Sequence, residues 1–238
     1  MGNNAHRADL LSELAHAPRT GLARRPPKGV KRPGGAAPPR GDLMRLFVAI
    51  VPPAAVLDEL DALVGPLRAR QHDLRWTDRE AWHVTLAFLG QVDEAALARL
   101  LPSLELAVRR HRQVQLAFRG AGAFPAPGRA NVLWSGLSGD CEALAQLAES
   151  MAAGASGVGA RPPDKGRSFQ PHLTLARCRM PVDVTELVAA LAGYQGKPWT
   201  ADRVHLVRSR LGATDQPRYV SLASWPLRAR DRDIDPGS

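Results

Sequence analysis

Two stretches of the chain, WHVTLAFLG at residues 82–90 and PHLTLAR at 171–177, carry the same His-x-Thr-Leu run 89 positions apart. An extended strand sends successive side chains to opposite faces. His83 and Thr85 therefore project to one side of the first segment, and Val84, Leu86 and Phe88 to the other. The second segment repeats the arrangement, with His172 and Thr174 against Leu173 and Leu175. A single copy is best read as an ordinary core or edge histidine in an apolar strand. Two copies with the same flanking leucine point instead to a site, since they are what a fold needs to set two imidazoles and two hydroxyls around one small anion.

The rest of the chain supplies the frame. MRLFVAIVPP, from Met44, reads as a buried strand ended by two prolines. A helix is predicted over 54–70, with Val56, Leu57, Leu60, Leu63, Val64 and Leu67 at helical spacing. LRWTDREAW leads into the first motif strand, which Gly90 should end. Asp93 opens a helical pattern to about Arg110 that Pro102 should kink or split. Strands are predicted at 113–120 and 130–137, joined by the Gly- and Pro-rich AGAFPAPGR as a turn. A helix over 139–153 turns Leu144, Leu147, Ala148 and Met151 inward, and 154–168 reads as a loop. After the second motif strand come a helix near 183–193, one long strand near 200–210, a turn at 212–216 and a final strand RYVSLASW. The order strand, helix, strand, helix, strands occurs almost twice. We therefore expect an α+β fold made of a duplicated, pseudo-twofold unit: two lobes, two antiparallel sheets flanking a central cleft, and helices outside.

Length and composition set limits on this frame. The 238 residues suffice for a sizeable core. No run of about eighteen uncharged apolar residues is present, and Arg7, Asp9, Glu13 and Arg19 stand where a signal peptide needs an apolar segment. A cytoplasmic protein without a membrane partner, acting as a monomer, is the expectation. Cys141 and Cys178 lack metal-ligand spacing and are expected to be free thiols, with no structural metal and no cofactor. The net charge of +9 favours an acidic partner such as nucleic acid. Residues 1–43 hold eight Lys or Arg against three acids, so much of that charge lies outside the core. The Pro-, Gly- and Arg-rich stretch 18–41 has no hydrophobic period, and residues 5–16 allow only a short helix. Residues 1–43 are read as a disordered, dispensable extension rather than an RNA-gripping arm, and 229–238 as a flexible tail.

Two histidines facing each other suit paired acid–base chemistry, because imidazole titrates near neutrality and one ring can be protonated while the other is not. The threonine hydroxyls can donate to phosphoryl oxygens as charge builds. No Gly-x-Ser-x-Gly and no suitably spaced carboxylate points to a Ser or Thr nucleophile. A phosphodiester, attacked on one side and leaving on the other, fits the set. Arg177 is the candidate phosphate-binding cation. Strict alternation puts it on the face opposite His172, so it reaches the site only where the strand ends or bulges.

At these residues the chain resembles the two-histidine (2H) phosphoesterase superfamily, and within it the bacterial RNA 2′,3′-cyclic phosphodiesterases, also called 2′-5′ RNA ligase-like proteins. RLFVAI at 45–50, VLWSGL at 132–137, FQPHLTLAR at 169–177 and the LVRSRLG…RYVSLASWPL tail extend the likeness over about Met44–Leu227. The resemblance implies a bilobal α+β domain over 44–228 and metal-independent opening of RNA 2′,3′-cyclic phosphate ends to 2′-phosphomonoesters. His83 would be the acid on the departing 3′-oxygen and His172 the base that activates water. Thr85 and Thr174 would hold the phosphate, and Arg177 would contact the phosphate or the terminal base. Phe47 is a candidate for base stacking beside its reading as a core aromatic. The alternatives are 2′-5′ RNA ligation, hydrolysis of a small cyclic nucleotide, and a non-catalytic protein that binds RNA ends.

Overall fold

The computed structural model describes residues 43–160, 169–210 and 218–230. The readings of residues 5–16, 18–41 and the 212–216 turn, and most of the 229–238 tail, fall outside them. The chain begins β1 (Met44–Ile50), α1 (Ala54–Arg68), a two-residue β2 (Arg75–Trp76), a 3-10 turn at Arg79–Ala81, β3 (Val84–Val92) and α2 (Glu94–Val108). The hairpin β4 (Val114–Ala126) and β5 (Arg129–Gly139) leads to α3 (Cys141–Gly157) and β6 (His172–Val182). Then follow α4 (Thr185–Leu191), β7 (Trp199–Ala201), β8 (Arg203–Ser209) and β9 (Tyr219–Pro226). Strand–helix–strand thus recurs as β1–α1–β3 and β5–α3–β6, and in each case the second strand carries the motif.

Among the described residues the strands form one antiparallel sheet in the order β7-β4-β5-β6-β3-β1-β8-β9, with β2 on β6. This corrects the expectation of two separate sheets. The halves meet where Val84 of β3 pairs with Leu173 of β6, one residue inside each motif. Four strands of that order lie on either side of the seam, and β2 adds to the β6 side. Only Asp202 separates β7 from β8, although they lie at or next to opposite ends of the order. The sheet must therefore curl into a half-barrel. Backbone bonds from Leu227 to the Asp202 carbonyl (2.8 Å) and from Gln113 to the Arg228 carbonyl (2.8 Å) tie the approaching ends.

One face of the sheet is packed by the helices. Leu46, Val48 and Ile50 of β1 join Leu60 and Val64 of α1, Leu100 and Leu104 of α2, and Leu147 and Met151 of α3 in a continuous buried cluster. All four residues predicted to face inward from α3 are buried. Phe47, Ala49 and Val207 form a small cluster of their own, with Tyr219 against it. The alternation along β1 thus divides the helix-covered core from the face that holds the cleft.

Several elements depart from their predicted limits. Gly90 does not end β3. It adopts φ +72°, a left-handed conformation easy only for glycine, and the strand runs on to Val92. Pro102 does not split α2, because it sits on the solvent face, where the carbonyl it leaves unpaired can be hydrated. The helix is instead secured at its start by Asp93, whose carboxylate accepts from the Ala96 amide at 2.7 Å. AGAFPAPGR is mostly strand, not turn. β4 runs through Pro125, and the ladder shifts register between Phe124 and Pro125, where an amide hydrogen is missing. The predicted long strand over 200–210 is two strands, β7 and β8.

Candidate active site

The repeated motif extends further than His-x-Thr-Leu, to His-x-Thr-Leu-Ala-x, and its last position depends on a defect in the ladder. Along β3, Ala49 of β1 pairs with Thr85, and the next residue back, Val48, pairs with Ala87, leaving Leu86 as an extra residue. Along β6, Trp134 of β5 pairs with Thr174 and Leu133 pairs with Ala176, leaving Leu175 as the extra. A bulge of this kind reverses the alternation beyond it. The buried residues confirm the reversal: Leu86 and Ala87 are both buried, as are Leu175 and Ala176. The residues five past each histidine, Phe88 and Arg177, therefore turn to the histidine face. For Phe88 this overturns the expected core position; its ring is 42% exposed. For Arg177 it supplies the bulge on which its role depended.

His83, Thr85, His172, Thr174, Arg177 and Phe88 all line one cleft of about 410 Å³. Nδ1 of His83 lies 2.7 Å from the Ala81 carbonyl oxygen, and Nδ1 of His172 lies 2.7 Å from the Gln170 carbonyl oxygen. A carbonyl only accepts, so each Nδ1 carries the proton, and each neutral ring keeps its lone pair on Nε2. Both motifs obtain this from the carbonyl two residues upstream. The 3-10 turn that supplies Ala81 is itself anchored: Arg79 Nη2 donates to the Ala54 carbonyl at 3.1 Å and pairs with Asp58 at the start of α1.

Aromatic rings wall in both histidines. His83 lies 4.7 Å from Phe47 and 5.1 Å, edge-on, from Tyr219. His172 lies 5.0 Å, edge-on, from Phe124 and 6.1 Å from Trp134. Trp134 lies flat across β4 at Gly122, where a Cβ would come within 2.3 Å of the indole. Phe47, the stacking candidate of the sequence, lines the cleft at 4% exposure with its ring beside His83, where it is placed to support that imidazole.

Burial holds the His83 imidazole well below its ordinary value, down to about 4. The Ala81 carbonyl opposes this, and the charges of Arg177 and His172 add to it. His172 is lowered for the same main reason, with Gln170 opposing and Arg177 reinforcing. Both rings are therefore neutral at pH 7, and an anion beside them would favour the protonated form. Among the described residues no carboxylate lines the cleft, and neither Arg45 nor Arg177 is ion-paired. The arrangement can accept an anion, take one proton and give another.

Sequence reasoning missed Tyr219, Trp134, Phe124 and Phe88, and also Arg45, Thr77, Ser209 and Arg218, which complete the cleft wall. The one available signal was the Ala shared by the two motifs after Leu, which marks the repeated bulge. Cys141 and Cys178 are free. No group of three side chains suited to a metal is present among the described residues, and no described helix is long and apolar enough to cross a membrane.

Known proteins are similar to this chain over most of its length. An RNA 2′,3′-cyclic phosphodiesterase of Methanothermobacter thermautotrophicus is 28% identical over 187 residues, covering 77% of this chain and 99% of the relative. One from Thermus thermophilus is 30% identical over 208 residues, covering 82% and 97%. Among solved structures, a Thermus thermophilus protein superposes with a TM-score of 0.63 at 28% identity, over 79% of this chain and all of its own. E. coli LigT in complex with 3′-AMP gives 0.61 at 26% identity, over 78% and 99%. The model of the 2′-5′ RNA ligase superfamily matches residues 52–213, more than half of the chain, and the chain belongs to that superfamily.

Proposed function

We propose that the cleft hydrolyses terminal RNA 2′,3′-cyclic phosphates to 2′-phosphomonoesters by paired histidine acid–base chemistry, without a metal. The observation that carries this reading is the pair of Nε2 atoms, each freed by an identical Nδ1 to carbonyl bond and both lining one cleft with two threonines and Arg177. The relatives named RNA 2′,3′-cyclic phosphodiesterase, and the 3′-nucleotide bound by LigT, support the substrate class.

In this scheme Arg177, Thr85 and Thr174 hold the non-bridging oxygens. Nε2 of His172 takes a proton from water as its oxygen attacks phosphorus in line with the 3′-oxygen. The bond from phosphorus to the 3′-oxygen breaks, and protonated His83 gives its Nε2 proton to that oxygen. The turnover leaves His83 neutral and His172 protonated, and exchange with solvent resets both. The charge of the phosphate anion offsets the burial that keeps His83 neutral and so favours the protonated acid.

Phe88 supports this direction of attack. The leaving 3′-oxygen belongs to the nucleoside, so the base should lie on the acid's side of the phosphate. The exposed aromatic face is on the His83 strand, while the equivalent position on the His172 strand is Arg177. Base–aromatic stacking contributes about 1–3 kcal/mol. The deciding assay uses an oligonucleotide ending in 2′,3′-cyclic phosphate, in EDTA, with the position of the product phosphate determined. A 2′-phosphate bears the proposal out. A 3′-phosphate, or turnover only with added Mg²⁺ or Zn²⁺, defeats it.

A further inference from the structure

We infer that Arg45 and Arg218, with Ser209 between their strands, form a second phosphate site, which binds the phosphoryl group on the 5′-oxygen of the terminal nucleotide. The inference rests on the cyclic-phosphate reading of the cleft and deepens it: the substrate is the end of a chain, or a 5′-phosphorylated nucleotide, rather than a free nucleoside cyclic phosphate.

The register of the sheet arranges the cleft wall in rows. On the cleft face of β1, Ala49, Phe47 and Arg45 follow one another at two-residue steps. Ala49 pairs with Thr85, so this row lies at the two-histidine site. Phe47 pairs with Phe88, the exposed ring proposed to carry the base. Arg45 pairs with Ser209 of β8, which in turn pairs with Tyr219 of β9, the residue after Arg218. The order of rows along the strand is thus phosphate, nucleoside, cations. Each step is about 6.7 Å, so the outer rows lie about 13 Å apart. An arginine reaching back along the groove shortens that separation to the span of one nucleotide.

The chemistry of the outer row agrees. Arg45, Ser209 and Arg218 line the same cleft as the histidines. Arg45 has no acidic partner among the described residues, and the Arg218 guanidinium lies 5.7 Å from the centre of the Tyr219 ring, which orients it beside the row. Two guanidiniums flanking a hydroxyl at the end of a groove form a donor set for one phosphoryl group. The hydrolytic reaction at the other end uses none of these three side chains.

The test compares kcat/KM on three substrates with one base: the nucleoside 2′,3′-cyclic phosphate with a free 5′-hydroxyl, the same compound with a 5′-phosphate, and a dinucleotide with the cyclic end. Wild type should prefer the second or third over the first by tenfold or more. Arg45→Ala and Arg218→Ala should each reduce that ratio by about tenfold, with Arg45→Lys keeping part of it. The dinucleotide reaction should also lose about 0.7 in salt slope for each phosphate contact removed. A gain from the 5′-phosphate equal to that from the dinucleotide supports a site for any phosphoryl group at that oxygen; a gain from the dinucleotide alone supports a site for the chain diester. Equal rates on all three in wild type, or wild-type ratios in both variants, would overturn the inference. If none is hydrolysed, the phosphodiesterase reading falls instead. The second site is then judged by calorimetric affinity for a nucleoside 2′,5′-bisphosphate against the 2′-monophosphate: a preference lost in the arginine variants sustains it, and no preference overturns it.

Discussion

Lowering the pH from 7.5 to 5 should destabilise the ligand-free protein through His83. In the unfolded chain this imidazole titrates at its ordinary 6.5, and in the fold burial lowers it to about 4. Above 6.5 it is neutral in both states and costs nothing. As pH falls through 6.5 the unfolded chain takes up a proton that the fold refuses, so stability declines, and the loss is complete once the pH is below about 4. At pH 5 the linkage relation gives a loss of about 2 kcal/mol, and the full shift corresponds to about 3 kcal/mol. His172 is displaced in the same direction and adds to the slope. The assay is urea unfolding of wild type and His83→Gln at pH 7.5 and 5. Other titrating groups cancel in the difference, so wild type should lose about 2 kcal/mol more than the variant. Equal losses would refute the claim that His83 is held neutral by its surroundings. Inorganic phosphate should oppose the effect, since an anion beside the ring favours the protonated form; its binding should take up protons and tighten as pH falls from 7 towards 5.

The remaining predictions concern turnover. kcat/KM should follow a bell-shaped pH profile whose limbs, belonging to the coupled pair in the free protein, lie below 6.5, and the profile of kcat should be displaced upward by the bound phosphate; a free-enzyme maximum above pH 7 counts against this. Thr85→Ala and Thr174→Ala should each raise the barrier by about 1–3 kcal/mol, the cost of one lost hydrogen-bond partner, read as kcat with unchanged unfolding midpoints. Gly122→Ala should lower both stability and kcat, because Trp134 must leave its seat beside His172; wild-type thermal unfolding and kinetics would remove the positioning role of that ring. On an oligonucleotide ending in 2′,3′-cyclic phosphate His83→Ala should lose about 10²–10⁴-fold. On an aryl phosphodiester, whose leaving group needs no proton, that variant should recover while His172→Ala remains impaired; rescue of His172→Ala instead would reverse the roles.

Much of this site was legible from local pattern, and what escaped was set by pairing. His83, Thr85, His172 and Thr174 fall on the cleft face because they precede the bulges, where strict alternation still holds. The inward face of α3 followed from helical spacing alone. The positions of Phe88 and Arg177 depend on one extra residue opposite Val48–Ala49 and another opposite Leu133–Trp134, and these belong to the partner strand as much as to the motif. The split of the predicted 200–210 strand was present in the letters: Trp199 and Ala201 are buried at odd positions, Val204 and Leu206 at even ones. The change of phase marks Asp202 as the crossing from one end of the sheet to the other. The union of two expected sheets into one rests on the Val84–Leu173 pair, which no local pattern encodes.

The duplicated frame raises a problem of direction that the bulges resolve. Hydrolysis of a cyclic phosphate is asymmetric, with water on one side of phosphorus and the nucleoside on the other, whereas two identical His-x-Thr strands would offer either imidazole for either role. Identical Nδ1 to carbonyl bonds reinforce that equivalence rather than break it. The bulges do not break it by themselves either, since both occur at the same place in the motif. They do bring the fifth residue after each histidine to the cleft, and there the copies differ, with an exposed apolar ring on one strand and a guanidinium on the other. The outer row adds to the difference on the same side as the ring, because Arg45 lies two steps beyond Ala49 on the strand paired with the His83 strand. A nucleotide entering with its base towards His172 would leave Phe88 exposed to water, draw Arg177 from the phosphate to the base, and hold its 5′-oxygen away from Arg45 and Arg218. Exchanging the two residues, Phe88→Arg with Arg177→Phe, should therefore impair turnover far more than either histidine's geometry would suggest, with both imidazoles still in place. Retention of the wild-type rate by that double variant would show that the direction of attack is set elsewhere in the cleft.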